Sequence, residues 1–157
     1  FLKFLKKNYR DRIKLYMTTQ TSIAGIKLKS YVFNASGPRD VTLAELEKIG
    51  ESGSSAIMLK SCTIKPRLGN EEPRYATLPY GSIQSMGLPN LGYQEYIKII
   101  PLLKKYRKPV FASVAGLSPA DFPVMVKAFQ QTTVDAIEVN LSCPNIKGKP
   151  PESDEPC

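Results

Sequence analysis

A thiol and an ammonium are the groups best suited to chemistry in this sequence. Cys143 lies in Asn140-Leu141-Ser142-Cys143-Pro144-Asn145, directly after an apolar run, and Lys60 closes a second apolar run at Ser55–Lys60. A cysteine in a loop just past a strand, with backbone amides and a cation nearby, ionises more readily than a free thiol and then acts as a base. Taken alone, it reads first as an ordinary small apolar residue. A lysine at the end of a buried strand needs a partner for its charge, or a route to water along its stem. The chain of 157 residues has no histidine, which removes every Ser–His and Cys–His nucleophile pair and every metal site built on imidazole. Its three cysteines, at 62, 143 and 157, form no C-x-x-C pair; an odd set of this kind argues against a disulfide framework and for a reducing compartment.

The elements that must position these groups alternate in texture. Tyr31–Ala35 reads as a short strand broken by the turn Ser36-Gly37-Pro38. Thr42 is the expected N-cap of a helix carrying Leu43, Leu46 and Ile49 at helical spacing, with Glu45 in the first turn and Gly50 and Gly53 closing it. Ser55–Lys60 is a continuous apolar run, the pattern of a strand buried on both faces. Residues 61–92 have no strong period and are rich in Pro, Gly and Asn; a loop of that length inside a compact domain is usually functional. A helix is expected over Tyr93–Tyr106, with Tyr96, Ile97, Ile100 and Leu103 on its apolar side and Pro101 bending it. Val110–Ala115 is a third strand, Ser118 a helix N-cap with Pro119 at the first helical position and the helix reaching Gln131, and Asp135–Leu141 a fourth strand. Repeated βα units predict a parallel sheet, as a doubly wound sheet or a (β/α)8 barrel. In both, chemistry gathers at the carboxyl ends of the strands, here Asn34–Gly37, Lys60-Ser61, Ala115-Gly116 and Asn140–Asn145. Neither a G-x-G-x-x-G after the first strand nor a P-loop is present.

The net charge of +8 is uneven: residues 1–16 carry six basic and one acidic side chain, leaving +3 on the remaining 141. The basic segment places Phe1, Leu5, Tyr9, Ile13 and Tyr16 at helical spacing. It reads either as a membrane-surface or targeting helix or as leader outside the fold, with Met17 opening a plausible new start. The near-neutral body gives no reason to expect nucleic acid as a partner, and no apolar run approaches the roughly 20 residues of a membrane span.

Five segments in order, Asn-Ala-Ser-Gly at 34–37, Lys60-Ser61 before Arg67–Tyr75, Gly81–Asn90, Phe111–Ser118 and Asn140–Pro150, together resemble dihydroorotate dehydrogenase, over about residues 22–150. The cysteine of Ser-Cys-Pro-Asn resembles class 1 of that family, and Gly148-Lys149-Pro150 resembles class 1A, the cytoplasmic, fumarate-linked enzymes. The resemblance implies a (β/α)8 TIM barrel binding FMN, which oxidises dihydroorotate to orotate in pyrimidine synthesis, with fumarate as acceptor and a homodimer as the full-length form. It implies Cys143 as the catalytic base that takes the C5 proton. It implies Ala35, Ser36, Gly37, Lys60, Ser61 and Asn140 at the flavin. The resemblance implies Lys60, Gln84, Met86, Gly87, Leu88, Asn140 and Asn145 at the substrate. Gln84 stands where the family usually has Asn, one methylene longer. Arg67 and Arg74 are expected to fix the long loop through carboxylate pairs.

A full barrel needs about 250 residues, and this sequence supplies about four βα units at 17–150, followed by a divergent tail at 151–157. It is therefore expected to be an amino-terminal fragment, without FMN or activity on its own. The alternatives are a non-catalytic remnant that docks on an intact homologue, or a basic membrane or nucleic-acid binder driven by residues 1–16.

Overall fold

In a computed structural model, residues 19–143 and 146 are described. The expected leader at 1–16, the start at Met17, the tail at 151–157, and Asn145 and Cys157 lie outside them. The elements are β1 (Thr21–Ile23), β2 (Ile26–Leu28), α1 (Leu43–Glu51), β3 (Ile57–Cys62), β4 (Tyr75–Leu78), β5 (Gly81–Gln84), α2 (Tyr93–Leu103), β6 (Val110–Val114), α3 (Asp121–Phe129) and β7 (Ala136–Val139). The central sheet is parallel in the order β3-β6-β7, with an antiparallel hairpin β1-β2 ahead of it and a second, β4-β5, inside the long 61–92 segment.

The helices form where the sequence provides apolar stripes, and α1 has a side-chain cap as well. Thr42 caps α1 in a full capping box, its hydroxyl accepting from Glu45 N and its own N–H donating to the Glu45 carboxylate. Leu46 from α1, Tyr96, Ile99, Ile100 and Leu103 from α2, and Met125 and Phe129 from α3 pack on the outer side of the sheet, against Ile57, Leu59, Val110, Ala112 and Val114. On the inner side a smaller apolar layer joins Leu28, Ala56, Met58 and Phe111, with Phe33 edge-on to Phe111 at 5.7 Å. The β1-β2 hairpin supplies Ile26 and Leu28 to this layer.

Several expectations need correction. Tyr31–Ala35 is not a strand; bends at Ser30-Tyr31 and Ser36 interrupt it. It lies along the free edge of β3, yet only single contacts replace a ladder: Ser55 N donates to Val32 O, and the Asn34 carboxamide bonds both ways with the Met58 backbone, at 2.8 and 2.9 Å. An amide side chain thus stands in for a peptide of the missing strand. Gly50 lies inside α1, where Tyr106 presses so close that a Cβ would meet its ring at 2.4 Å, and Ser52 is the C-cap. α3 starts at Asp121 rather than Pro119, because Asp121 instead accepts from Leu117 N, Ser118 N and the Ser118 hydroxyl; it ends at Phe129, short of Gln131. α2 ends at Leu103 in a short 3-10 turn over Lys104–Tyr106, with Pro101 in its last turn. The 61–92 segment is no structureless loop, since β4 and β5 pair from Tyr75↔Gln84 to Leu78↔Gly81.

Candidate functional site

The inner face of the sheet changes character along the strands: apolar at the amino ends, polar at the carboxyl ends. On β6 the alternation is regular, with Phe111 and Ser113 inward and Val110, Ala112 and Val114 outward. On β3 it is broken. The pairing runs Ile57↔Val110, Met58↔Phe111, then Ser61↔Ser113, so β3 holds one extra residue between Met58 and Ser61. A bulge of this kind re-aims side chains. Its result is that Lys60 and Ser61, neighbours in sequence, both face inward, while Leu59 and Cys62 join the outer core. Lys60 therefore lies within β3 rather than at its end.

Above this polar layer opens a cleft of about 220 Å³. Its walls combine Ser36 and Gly37, Lys60, Gln84 with Met86, Gly87 and Leu88, and Asn140 with Cys143, together with Pro38, Pro89 and Ser142. Nine of the residues expected from sequence thus meet on one concavity. Ala35 and Ser61 do not line it. The Ala35 carbonyl accepts from Gly37 N at 2.8 Å, and Ser61 is fully buried below the cleft. Asn145 is outside the described residues.

The site is held by a directional chain of hydrogen bonds. Asn140 Nδ2 donates to Ser61 Oγ at 3.0 Å, the Ser61 and Ser113 hydroxyls are 2.9 Å apart, and Ser113 Oγ donates to Glu138 Oε1 at 2.7 Å. Ser36 Oγ donates to the same Glu138 oxygen at 2.9 Å. Both serines donate to Glu138 Oε1, which terminates the chain, and Ser113, its one proton spent there, must accept from Ser61. Asn140 Oδ1 in turn accepts from Ser142 N at 3.1 Å. Its orientation is fixed, and among the described residues only one of its two amide protons is taken.

The Met86–Leu88 wall is shaped by backbone. Gly87 and Leu88 both have positive φ, +73° and 56°. Asn70 N donates to Met86 O, Asn70 Nδ2 donates to Ser85 O, and Gln84 Oε1 accepts from Met86 N. The buried Asn90 ties this wall to the end of β3: its Oδ1 accepts from Thr63 N and Gly92 N, and its Nδ2 donates to Thr63 Oγ1 and Leu88 O. Arg74 pairs with Glu72 at 2.8 Å and donates to Leu68 and Asn70 carbonyls. Arg67 corrects the expectation of a carboxylate pair: among the described residues it has none, and its backbone instead bridges to Asn90.

Lys60 Nζ donates to Ser36 O at 2.8 Å. Burial pulls its ammonium below the usual lysine range, while Asp40, Cys143 and Glu138 push it back up. Asp40 is buried beside it, its carboxyl raised to about 7 by desolvation, against the opposing pull of Lys60. Cys62 belongs to the outer core, and burial pushes its thiol up to about 12, so it is inert. Among the described residues no cluster of His, Cys, Asp or Glu could hold a metal, and no helix is long and apolar enough to cross a membrane.

Asp40, Ser113, Glu138 and Asn90 were not singled out from sequence. Asn90 had a signal, since Asn between Pro89 and Leu91 after Gly87 marks a turn. The others had none, because each matters through partners far along the chain.

Parallel βα units with a polar cleft at the carboxyl ends of the strands define an α/β enzyme-type scaffold, the place where such folds bind ligands. The sequence model of the family described as dihydroorotate dehydrogenase matches residues 18–156, and the chain belongs to that family. It is 44% identical over 138 residues to the dihydroorotate dehydrogenase (fumarate) of Trypanosoma brucei brucei, covering 85% of this chain and 44% of the relative. It is 42% identical over 136 residues to dihydroorotate dehydrogenase A (fumarate) of Lactococcus lactis subsp. cremoris, covering 83% and 43%. A crystal structure of DHODH from Eimeria tenella in complex with ferulenol superposes with a TM-score of 0.69 at 19% identity, over 83% of this chain and 38% of that one; that likeness speaks for the fold. The chain spans less than half the length of these relatives.

Proposed function

We propose that this chain carries part of the active site of an FMN-dependent, cytoplasmic dihydroorotate dehydrogenase that uses fumarate as electron acceptor in pyrimidine synthesis. The observation that supports this is the meeting of Lys60 and Cys143 on one cleft with Ser36-Gly37 and Met86–Leu88. The family match and the relatives named for fumarate point the same way.

The residues suit FMN. At about 220 Å³ the cleft is below the roughly 300–1,000 Å³ of complete small-molecule pockets, so it accommodates a ring system at one end of a larger site. Lys60 is the only charged side chain among the described residues lining it, and a cation there favours a ligand that gains electron density. Ser36 and Gly37, with Ala35 behind them, keep the wall low enough for a flat ring. When bound, FMN supplies the acceptor for the hydride leaving substrate C6. Cys143 is the base that takes the proton from C5. Asn140 and Asn145 carry amides that match the alternating donors and acceptors of a pyrimidine edge. The Met86–Leu88 backbone and Gln84 meet the substrate carboxylate end.

The test joins this chain to the matching carboxyl-terminal part of the Lactococcus relative. The expected result is a yellow protein that oxidises dihydroorotate with fumarate, losing turnover but not FMN with Cys143→Ala. A joined protein that holds FMN and shows no turnover, or whose turnover survives Cys143→Ala, overturns the proposal.

A further inference from the structure

Asp40 is 1% exposed, yet one of its oxygens, Oδ1, has no hydrogen-bond partner among the described residues. The other, Oδ2, accepts from Gly37 N at 3.0 Å. Lys60, 6% exposed, donates to Ser36 O at 2.8 Å. Ser36 C=O and Gly37 N–H are the two ends of one peptide group. A cation therefore grips the negative end of that peptide, and an anion grips its positive end.

We propose that Asp40 is a positioning residue: across the Ser36–Gly37 peptide it serves as the buried counter-charge that keeps Lys60 protonated and aimed into the cleft. Among the described residues no direct ion pair joins the two groups, so the peptide is the link. A buried ammonium without a counter-charge tends to lose its proton, and Lys60 is the one charged residue lining the cleft among the described residues. The groups facing Asp40 are Lys60 from β3, Glu45 from α1 and Tyr96 from α2. Lys60 is also faced by Glu138 from β7 and by Cys143. Glu138 is exposed and already accepts from two serines. Asp40 is the carboxylate that shares Lys60's desolvated side, and Glu45 is spent on the α1 cap. The inference extends the flavin reading by assigning a purpose to the Lys60 charge, but its test uses no flavin.

The experiment is a pH titration of the full chain labelled with 13C at lysine Cε, the Lys60 signal being identified by its loss in Lys60→Arg. Asp40→Asn keeps an oxygen for Gly37 N–H and removes only the charge. The expected result is a lower Lys60 midpoint, so that the neutral amine fraction at a fixed pH rises about tenfold, while the Gly37 amide stays protected from hydrogen exchange. Asp40→Glu should restore most of the midpoint. A purely structural Asp40 would leave the Lys60 midpoint in Asp40→Asn unchanged, and that result overturns the proposal. If Asp40→Asn does not fold, Lys60→Met decides: the Asp40 carboxyl midpoint, read by 13C at Cγ, must rise, and no rise overturns the proposal equally. Failure of flavin to bind the chain would leave both readouts intact.

Discussion

Replacing Gly87 by alanine should destabilise the chain by an amount that four glycines together allow one to partition. Gly87 has φ +73°, and a Cβ there would lie 2.4 Å from Asn70 Oδ1 and 2.5 Å from Asn70 N. The second contact is with backbone, which cannot rotate aside. Two costs add: about 1 kcal/mol for a left-handed alanine, and roughly 1–3 kcal/mol for overpacking. Gly25 shares the conformation, φ +79°, with nothing within 4 Å of its added Cβ. It isolates the conformational cost. Gly116 has no positive φ, but its Cβ would meet the Phe122 ring at 2.5 Å and Ser118 O at 2.8 Å. It isolates the clash. Gly53 has neither and should be neutral or gain about 0.5 kcal/mol through the less flexible unfolded chain. Expected losses are therefore about 1 kcal/mol for Gly25→Ala, roughly 1–3 for Gly116→Ala and roughly 2–4 for Gly87→Ala. Equilibrium urea unfolding of the four variants, followed by circular dichroism with unchanged m-values, measures them. A Gly87→Ala loss equal to that of Gly25→Ala would refute the reasoning, since it would mean that the Asn70 turn yields freely and does not hold the Met86–Leu88 wall.

Two further outcomes follow from buried polar groups. Asn34→Ala leaves the N–H and C=O of Met58 without their partners on the β3 edge, and should cost roughly 2–4 kcal/mol in the same urea assay; a loss below about 1 kcal/mol would mean that water replaces the amide. Asp40 has a folded-state pKa of about 7 against 3.8 for the free carboxyl, so the native state binds its proton more tightly. Stability should fall as pH rises from about 4 to 7 and level off above, by on the order of 4 kcal/mol from this group; the difference curve between the native sequence and Asp40→Asn, measured across that range, should show this slope, and a flat difference would contradict the burial argument.

Much of the fold was legible because its signals are local. The capping box at Thr42 and Glu45, the apolar stripe from Tyr96 to Leu103 and the mostly apolar, fully buried strands β3 and β6 each depend on residues within one or two turns of each other. The misreadings share a different cause. Tyr31–Ala35 has the composition of a strand, yet its contacts with β3 run through one side chain and one carbonyl. The β4-β5 hairpin is mostly exposed, with a burial pattern that offers no core-facing alternation, so periodicity had nothing to report.

By itself the sequence determined the order α1-β3-α2-β6-α3-β7, the start of α1 set by its capping box, and the small set of chemically able residues at strand ends, because these follow from nearest-neighbour chemistry and from the period of apolar residues. The tertiary structure alone decided how those residues act together. One extra residue in β3 turns both Lys60 and Ser61 inward. Glu138, 102 residues from Ser36, closes the chain that orients Asn140. Asp40 meets Lys60 across a single peptide. Each depends on strands brought side by side by the packing of distant apolar faces, and no local pattern encodes which polar groups that packing will trap together.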